Sequence, residues 1–424
     1  MNNNKIRVAI THGSTNGIGY ELIFKAFEET EMFELCTPII YGSPKVAAYH
    51  SKALGIKDNF TIINDASAAQ DGKLNIIPAV DEEIKVEMGI PSSDATLAAV
   101  KALDRAITDY KDGLFDVLVC APADKGEAHV GGFDFPRRAK YIEQCIGEGK
   151  KAQSLLINGD MRLALMTDQI SLKDVPVAIT SHDIIEQVAI LFTTLRRDMR
   201  VSNPRIAVLA LNPGVDEKAE GQEEAENIVP AIQKLADAGV NVFGPYQADL
   251  FFQRGDYYHF DAILSMYHDQ GLAPFKTLHP DNNVRYLGGL PLVATAPDLS
   301  PCYDIAGQGV ADPTPLRHAI YAAIDGFRNR RAYDEPLANP LPKLYHEKKD
   351  DSEKVRFSIP KKHETPSRND SATVPLLPPR LRKATARNNN THIAYNISRQ
   401  HEKEIPERLL HFWTHRPDHH GHPA

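Results

Sequence analysis

The sequence predicts an α/β protein in which helices cover a mostly parallel sheet. Two observations support this fold class. From the start of the chain to about residue 333, short apolar runs of strand length alternate with longer runs in which apolar residues recur with helical spacing. Polar clusters directly follow several of the apolar runs, as expected where strands lead into ligand-binding loops. At 424 residues the chain can form two sizeable domains, because single cores rarely grow past roughly 250–300 residues.

The strand candidates, in chain order, are residues 7–11, 38–41, 116–121, 205–211 and 262–267. Three segments between them are predicted to be helices. Ser93 is placed to cap the first, and Ser181 is placed to start the second. The third, residues 223–238, should end at Gly239 and be kinked by Pro230. The predicted buried stripes of the three are Leu97, Val100, Leu103 and Ile107; Ile184, Val188, Leu191 and Leu195; and Ile228, Ile232 and Leu235.

The chain changes character near residue 345. Residues 346–424 hold 15 Lys and Arg against 10 Asp and Glu, a charge of +5, whereas the preceding residues carry −13. Prolines and charges interrupt every apolar run of this segment, so it buries too little apolar surface to offset the entropy of ordering. We expect residues 1–344 to form the folded unit and 345–424 a basic, proline-rich, mostly disordered tail. The PLLPPR run at 375–380 leaves open a role in binding a protein partner.

Composition argues against several other classes. The four cysteines form no C-x-x-C pair, which disfavours a disulfide framework or a zinc finger, and we interpret them as buried thiols in a reducing compartment. No stretch of about 18 apolar residues occurs, and no apolar run follows a basic start, so neither membrane spanning nor export is indicated. The basic tail lacks the interleaved aromatic residues of a nucleic-acid stacking surface. We expect a cytoplasmic protein that binds neither membranes nor nucleic acid.

In open α/β sheets, ligands bind beyond the carboxyl ends of the strands, and four polar clusters stand at such positions. The richest is MYHDQGLAPFK, residues 266–276. His268 and Asp269 could ligate a divalent cation or move a proton, and Lys276 could pair with an anionic substrate. The alternative is a hydrogen-bonded strand end with a solvated lysine. We expect the loops to converge around these three residues.

Two weaker features leave both interpretations open. The glycine-rich segment GSTNGIGYE, residues 13–21, could present backbone N–H groups to an anion, or could simply be a tight turn from strand to helix. Asp249 is a lone acid before aromatic residues and is either catalytic or merely solvated.

The motifs THGSTNGIGYEL, VCAPADKG, LNPG, GPYQADLFFQ, MYHDQGLAPFK and YDIAGQG occur in this order over about 330 residues. Together they resemble the 4-hydroxythreonine-4-phosphate dehydrogenase family. That resemblance implies an architecture similar to isocitrate and isopropylmalate dehydrogenases, with two α/β/α domains, an active site in the cleft between them, and a homodimer. It also implies NAD-dependent oxidation and decarboxylation of a phosphorylated hydroxy amino acid in pyridoxal phosphate biosynthesis.

The resemblance implies a divalent metal held by three histidines, and only His268 is present in this chain. Gln169 and Gly214 stand at the other two positions, so we expect metal binding of the family type to be weakened. The neighbouring acids Asp168, Asp216 and Glu217 could supply oxygen ligands instead. The acids Asp249 and Asp269 remain in their family contexts, and with Lys276 they are the catalytic candidates.

The substrate-binding positions differ as well. Arg137, Arg138 and Ala139 replace a glycine-histidine-threonine run, and Arg285 and Ala294 replace an asparagine and an arginine. We expect Arg138, Arg285 and Lys276 to grip a phosphate or carboxylate. The resemblance assigns the adenosine part of NAD to the segment that contains Asp304, Ala306 and Gly307. Two functions remain open: an NAD-dependent dehydrogenase with altered metal and substrate sites, or a catalytically impaired paralogue that binds a metabolite or a protein.

Overall fold

The structure is a computed structural model that describes residues 5–56, 60–80, 84–124, 128–130, 133–214 and 221–338, all of which belong to one compact unit. The predicted tail, with its 375–380 motif, and the acids Asp216 and Glu217 lie outside the described residues.

The main sheet has twelve strands in the order β11-β10-β12-β9-β8-β13-β14-β5-β1-β2-β4-β3, and β6 pairs with β7 separately. The strands are β1 (Ile6–Thr11), β2 (Cys36–Gly42), β3 (Phe60–Ile62), β4 (Leu74–Pro78), β5 (Val117–Cys120), β6 (Ala128–Val130), β7 (Phe133–Phe135), β8 (Gln153–Asn158), β9 (Met161–Leu165), β10 (Ile206–Leu209), β11 (Val242–Tyr246), β12 (Ala262–Ser265), β13 (Val284–Gly288) and β14 (Val293–Pro297). All five strand candidates are confirmed.

The sheet consists of two parallel runs that point in opposite directions. Strands β9 to β11 with β12 form one run, and β14, β5 and β1 to β4 form the other. Antiparallel pairing of β8 and β13 joins the runs. The carboxyl ends of the two runs therefore lie at opposite edges of the sheet.

Helices cover both faces of the sheet. They are α1 (Gly19–Ala26), α2 (Met32–Leu35), α3 (Pro44–Leu54), α4 (Ser93–Lys111), α5 (Arg138–Ile146), α6 (Val175–Ala178), α7 (Ser181–Arg197), α8 (Val229–Asp237), α9 (Ala248–Gln253), α10 (His268–Leu278) and α11 (Thr314–Ala338). One face packs against α1, α3, α7, α8 and α11, and the other packs against α4 and α5 in one half and α9 and α10 in the other. Strands that are buried on both faces consist of consecutive apolar residues, and these apolar runs are what identified the strands in the sequence. The predicted α/β class is confirmed, and the division into two domains stays a prediction.

The helix starts differ in detail from the prediction. Ser92, not Ser93, caps α4, with its Oγ accepting a hydrogen bond from the N–H of Ala95 at 3.1 Å. The helix α7 begins at Ser181 as predicted, but Thr180 is its capping residue. The third predicted helix is a π-helical turn, Glu224–Ile228, followed by α8, and Pro230 lies in the first turn of α8. A proline lacks the N–H that donates to the preceding helical turn. The change from the π-helical turn to the α-helix therefore lies next to Pro230, where the kink was expected.

All four cysteines are free thiols, but only Cys36 and Cys120 are buried, whereas Cys145 and Cys302 are partly exposed. In the described part of the chain no single helix is long and apolar enough to cross a membrane, and one bent pair, Leu172–Ala178 with Ser181–Arg197, passes by length and composition only.

Candidate active site

A cavity of about 150 Å³ lies on the sheet face where β13 and β14 connect the two parallel runs. Its floor includes Leu287, Ala294 and Ala296. Loops from both edges of the sheet meet at its rim, because Asp124 follows β5 and Gln169 follows β9. The polar lining residues are Thr11, Ser14, Thr96, Asp124, Arg137, Arg138, Ser154, Asp168, Gln169, Arg285, Tyr286 and Thr295. A polar rim over an apolar floor is typical of a small-molecule site.

Two of the three predicted anion-binding cations line this cavity. Arg138 is the first residue of α5, and it makes no hydrogen bond or ion pair with another described residue. Arg285 projects from β13 and donates from Nε to Asp298 Oδ1 at 2.7 Å. Lys276 lies outside the cavity lining, and its Nζ is 2.6 Å from Asp298 Oδ2. The carboxylate of Asp298 is 1% exposed, so one buried acid fixes both cations. Of the three predicted cations, Arg138 is therefore the one without an acidic partner among the described residues.

The sheet brings together the three positions that the family resemblance assigns to a metal. Strand β12 lies between β9 and β10, so the loops that contain Gln169, His268 and Gly214 leave adjacent strand ends. Gln270 connects two of these ends: its Nε2 donates to Ala210 O at 2.6 Å, and its Oε1 accepts from Met266 N at 2.8 Å. The loop after β9 is held too, because Thr167 Oγ1 donates to Met266 O at 2.7 Å. These three loops therefore leave the same edge of the sheet, whereas the clusters after β1 and β5 lie at the opposite edge. His268, Asp269 and Lys276 lie outside the cavity lining, so the convergence of the loops around them stays a prediction.

The residues at these three positions do not fit a divalent metal of the family type. His268 is the one imidazole of the set, and its Nδ1 is 2.7 Å from Asp269 Oδ1. Gly214 has no side chain. The carbonyl of Gln169 accepts a hydrogen bond from Arg137 Nη2 at 2.9 Å, and Arg137 Nη1 is 3.6 Å from Asp168 Oδ2. A guanidinium therefore stands beside the acid that could have replaced a lost ligand, and a positive charge there disfavours a cation.

The glycine-rich segment after β1 forms a tight turn. Gly13 has φ +74°, and a Cβ at this position would lie 2.1 Å from Pro122 O. Two of the turn's amides already have partners, since Ser14 N donates to Pro122 O at 2.9 Å and Ile18 N donates to Pro301 O at 3.0 Å. Close backbone packing explains these glycines, and it favours the turn over an anion site.

A hydrogen-bonded chain at the cavity rim was not anticipated from the sequence. Ser14 Oγ is 3.1 Å from the Tyr303 hydroxyl, which donates to Asp124 Oδ2 at 2.8 Å. Burial, opposed by the bond to Ser14 and reinforced by that to Asp124, raises the pKa of Tyr303 to about 12. Ser14 and Tyr303 are 289 residues apart in the sequence, so their positions gave no indication that they are in contact. These hydrogen bonds attach the segment that contains Asp304 to the cavity rim.

The remaining predicted site residues lie outside the cavity lining. Asp249 is exposed in the first turn of α9, and Asp269 is 82% exposed at the start of α10. Asp304 is exposed in a short 3-10 turn that Ala306 and Gly307 follow. Gly307 has φ +79°, a backbone conformation that favours glycine whether or not a cofactor binds, and a Cβ there would lie 2.6 Å from the flexible Met88 Sδ. The exposed Asp304 carboxylate remains able to accept hydrogen bonds from ribose hydroxyls, which fits the predicted adenosine site.

The three-layer fold and this rim-and-floor cavity define an α/β protein with a small-molecule cleft on one face of a mixed sheet. Residues 34–323 match the family described as pyridoxal phosphate biosynthetic protein PdxA. A relative from Bacteroides thetaiotaomicron, named 4-hydroxythreonine-4-phosphate dehydrogenase, is 48% identical over 358 residues, which cover 84% of this chain and 98% of the relative. The chain belongs to the PdxA family.

Solved structures agree with this assignment. A 4-hydroxythreonine-4-phosphate dehydrogenase from Burkholderia phymatum is 28% identical with a TM-score of 0.62, and the match covers 76% of this chain and 99% of that one. The enzyme of the same name from Klebsiella pneumoniae is 25% identical with a TM-score of 0.66, covering 77% and 99%. The family predicted from the motifs is thereby confirmed.

Proposed function

We propose that the chain is an NAD-dependent dehydrogenase for a phosphorylated hydroxy amino acid of the kind for which its relatives are named. In this reaction the carbon that bears the hydroxyl group gives a hydride to NAD, and the alcohol becomes a ketone. The hydroxyl proton would pass to a carboxylate among the catalytic candidates, Asp249 or Asp269. The third candidate, Lys276, is an ammonium paired with Asp298 and would stabilise the developing negative charge on the substrate oxygen. Family membership and the anion-binding character of the cavity support the proposal, and the assignment to pyridoxal phosphate biosynthesis rests on the same relatives.

The observation that carries this proposal is the position of Arg138. It lines the cavity without an acidic partner among the described residues, whereas Arg285 and Lys276 share Asp298. A guanidinium binds phosphate or carboxylate through two parallel hydrogen bonds, and these are among the stronger polar contacts in proteins. We therefore assign the substrate's anionic group to Arg138, with Arg285 beside it.

NAD, the hydride acceptor, would be held by the turn that contains Asp304, Ala306 and Gly307. The Tyr303 hydroxyl, bonded to Ser14 and Asp124, would hold this turn against the cavity rim. Its raised pKa keeps Tyr303 protonated at neutral pH, so it acts here as a hydrogen-bond donor.

The test is formation of NADH, followed by absorbance, from 4-hydroxythreonine-4-phosphate and NAD with the full chain. Arg138→Ala should raise KM about tenfold or more, because a charge-assisted hydrogen bond contributes roughly 1.5–3 kcal/mol. The exposed Arg328 on α11 provides the control, and Arg328→Ala should leave the kinetics unchanged. Absence of NADH with every hydroxy acid phosphate tried would reject the proposal.

A second candidate is favoured by the loop after β9. Gln169 and Gly214 stand at two positions that the family resemblance assigns to metal ligands, and the Arg137 guanidinium donates a hydrogen bond to the backbone carbonyl of Gln169. These features suit a catalytically impaired paralogue that binds a metabolite without turning it over. Calorimetric titration distinguishes the two: binding of the phosphorylated compound and NAD with no NADH formed identifies the paralogue.

We also propose a homodimer. Leu172 and Val177 follow the Gln169 loop and are 67% and 84% exposed, and a second copy of the chain would remove them from water. Val177→Asp should shift the mass measured by light scattering from dimer to monomer. Ile62→Asp, on the edge strand β3, is the matched control because Ile62 is 57% exposed. A dimer that persists in Val177→Asp would argue against this surface.

A further inference from the structure

Arg137 occupies a distinctive place in the cleft. It immediately precedes α5 and lines both the main cavity and an adjoining cavity of about 260 Å³. Its Nη2 donates to Gln169 O at 2.9 Å, and its Nη1 is 3.6 Å from Asp168 Oδ2. The guanidinium thus bridges from α5 to the loop that follows β9, where the resemblance places a metal ligand.

The charge of Arg137 is only partly neutralised. A separation of 3.6 Å is too long for a good hydrogen bond, so Asp168 is a neighbour rather than a tight partner. The buried Nε of Arg137 has no hydrogen-bond partner in the part of the chain that the structure describes. A buried N–H without a partner is costly, and an arginine cannot lose its charge at physiological pH. The site therefore retains an unused donor on a permanent cation.

We propose that Arg137 supplies the positive charge at this loop in place of a divalent metal, and that the cleft binds its anionic ligand without any metal ion. The inference rests on the proposed function to the extent that the ligand is a phosphorylated or carboxylated small molecule. Arg137 completes a set with Arg138 and Arg285, so three guanidiniums face one cleft. Such a set recognises oxygen anions directly, and the same charges repel a metal ion.

The first experiment is calorimetric titration of the full chain with 4-hydroxythreonine-4-phosphate, in excess EDTA and separately with Mg²⁺, Mn²⁺ or Zn²⁺. The expected dissociation constant is the same within about twofold in all four conditions, since no metal takes part. Arg137→Gln should weaken binding about tenfold or more in EDTA, because a charge-assisted donor is lost. Arg328→Gln, which changes an exposed arginine on α11, should bind as the unchanged protein does.

The second experiment rebuilds the metal position, and its readout is the melting temperature with Zn²⁺ or Mn²⁺ alone. The double variant Gln169→His with Gly214→His is compared with the triple variant that adds Arg137→Gly. Gly214 has φ +78°, and no atom of the described residues lies within 4 Å of an added Cβ. Histidine is among the residues that tolerate this conformation best. Metal should raise the melting temperature of the triple variant clearly more than that of the double variant.

The outcomes separate this inference from the proposed function. Ligand binding that requires a divalent metal overturns the inference and leaves the dehydrogenase proposal standing. Ligand binding in neither condition overturns both. Equal metal responses of the double and triple variants, including no response in either, overturn the claim that Arg137 excludes the cation, as does Arg137→Gln binding the ligand with unchanged affinity.

Discussion

Arg330 of α11 forms a two-point ion pair with Asp198 at the end of α7. The Nε of Arg330 donates to Asp198 Oδ1 at 2.8 Å, and its Nη2 donates to Oδ2 at 2.7 Å. The two side chains are 7% and 2% exposed. Tyr286 on β13 donates its hydroxyl to the same carboxylate at 3.0 Å, and Arg330 Nη1 donates to Leu290 O at 3.0 Å. The pair ties the last helix to the strand that forms the cleft floor.

Asp198→Ala should lower the free energy of unfolding by about 3–5 kcal/mol, because it leaves a buried guanidinium without its counter-charge. Urea denaturation measures this. The exposed pair of Lys85 and Glu87, with side chains 75% and 41% exposed, is the matched control, and Lys85→Gln should cost under about 1 kcal/mol. Similar losses from both variants would show that the burial of the Arg330 pair has no energetic consequence.

The sequence was informative where local pattern decides structure. Strands such as β1 and β10 are buried on both faces, so their apolar runs identify them without knowledge of their neighbours. The antiparallel strands β8 and β13 were not singled out, and they form the junction on which the cleft lies. The Lys276, Asp298 and Arg285 cluster was also hidden, because Asp298 reaches both cations only through the pairing of β13 with β14. Motifs located the loops, but strand direction determines which loops meet.

Acid should weaken the fold through His12, which the sequence did not distinguish from its glycine-rich neighbours. His12 is fully buried and stacks on Tyr20 at 5.2 Å. Burial, with a further contribution from nearby His50, lowers the pKa of His12 from 6.5 to about 4. Between pH 6.5 and about pH 4, His12 is therefore protonated in the unfolded chain but neutral in the folded chain. The stability due to neutral His12 is present above pH 6.5 and is lost as the pH falls to about 4, by roughly 3 kcal/mol.

The measurement is the free energy of unfolding from urea titrations at several pH values. His12→Leu removes the titrating group. The free energy of unfolding of the unchanged protein, minus that of the variant, should therefore decrease as the pH falls from 6.5 to about 4. A difference that stays constant between pH 7 and pH 4 would contradict the assignment.

Gly13→Ala should destabilise the fold by at least about 3 kcal/mol, because the new Cβ combines an unfavourable positive φ with a 2.1 Å approach to Pro122 O. Gly113 is the matched control, since its φ is +69° and no atom in the described part of the chain lies within 4 Å of an added Cβ. Gly113→Ala should therefore cost only the conformational strain of about 1–2 kcal/mol. Thermal unfolding of both variants separates the steric clash from the strain, and equal losses would remove the packing explanation for the turn.

Asp304→Ala should weaken NAD binding without affecting stability. The carboxylate is exposed, and the side-chain Nε2 of Gln308 donates to the backbone O of Asp304 at 2.7 Å, a hydrogen bond that alanine preserves. Loss of charge-assisted hydrogen bonds to a ribose corresponds to roughly 1.5–3 kcal/mol, or about a 10- to 100-fold higher dissociation constant in calorimetric titration with NAD. Asp325→Ala, at an exposed position on α11, is the control and should bind NAD unchanged. Equal NAD affinity in Asp304→Ala and the unchanged protein would contradict the assignment of NAD to the turn that contains Asp304. The hydrogen bonds from Ser14 through Tyr303 to Asp124 would then have only a structural role at the cavity rim.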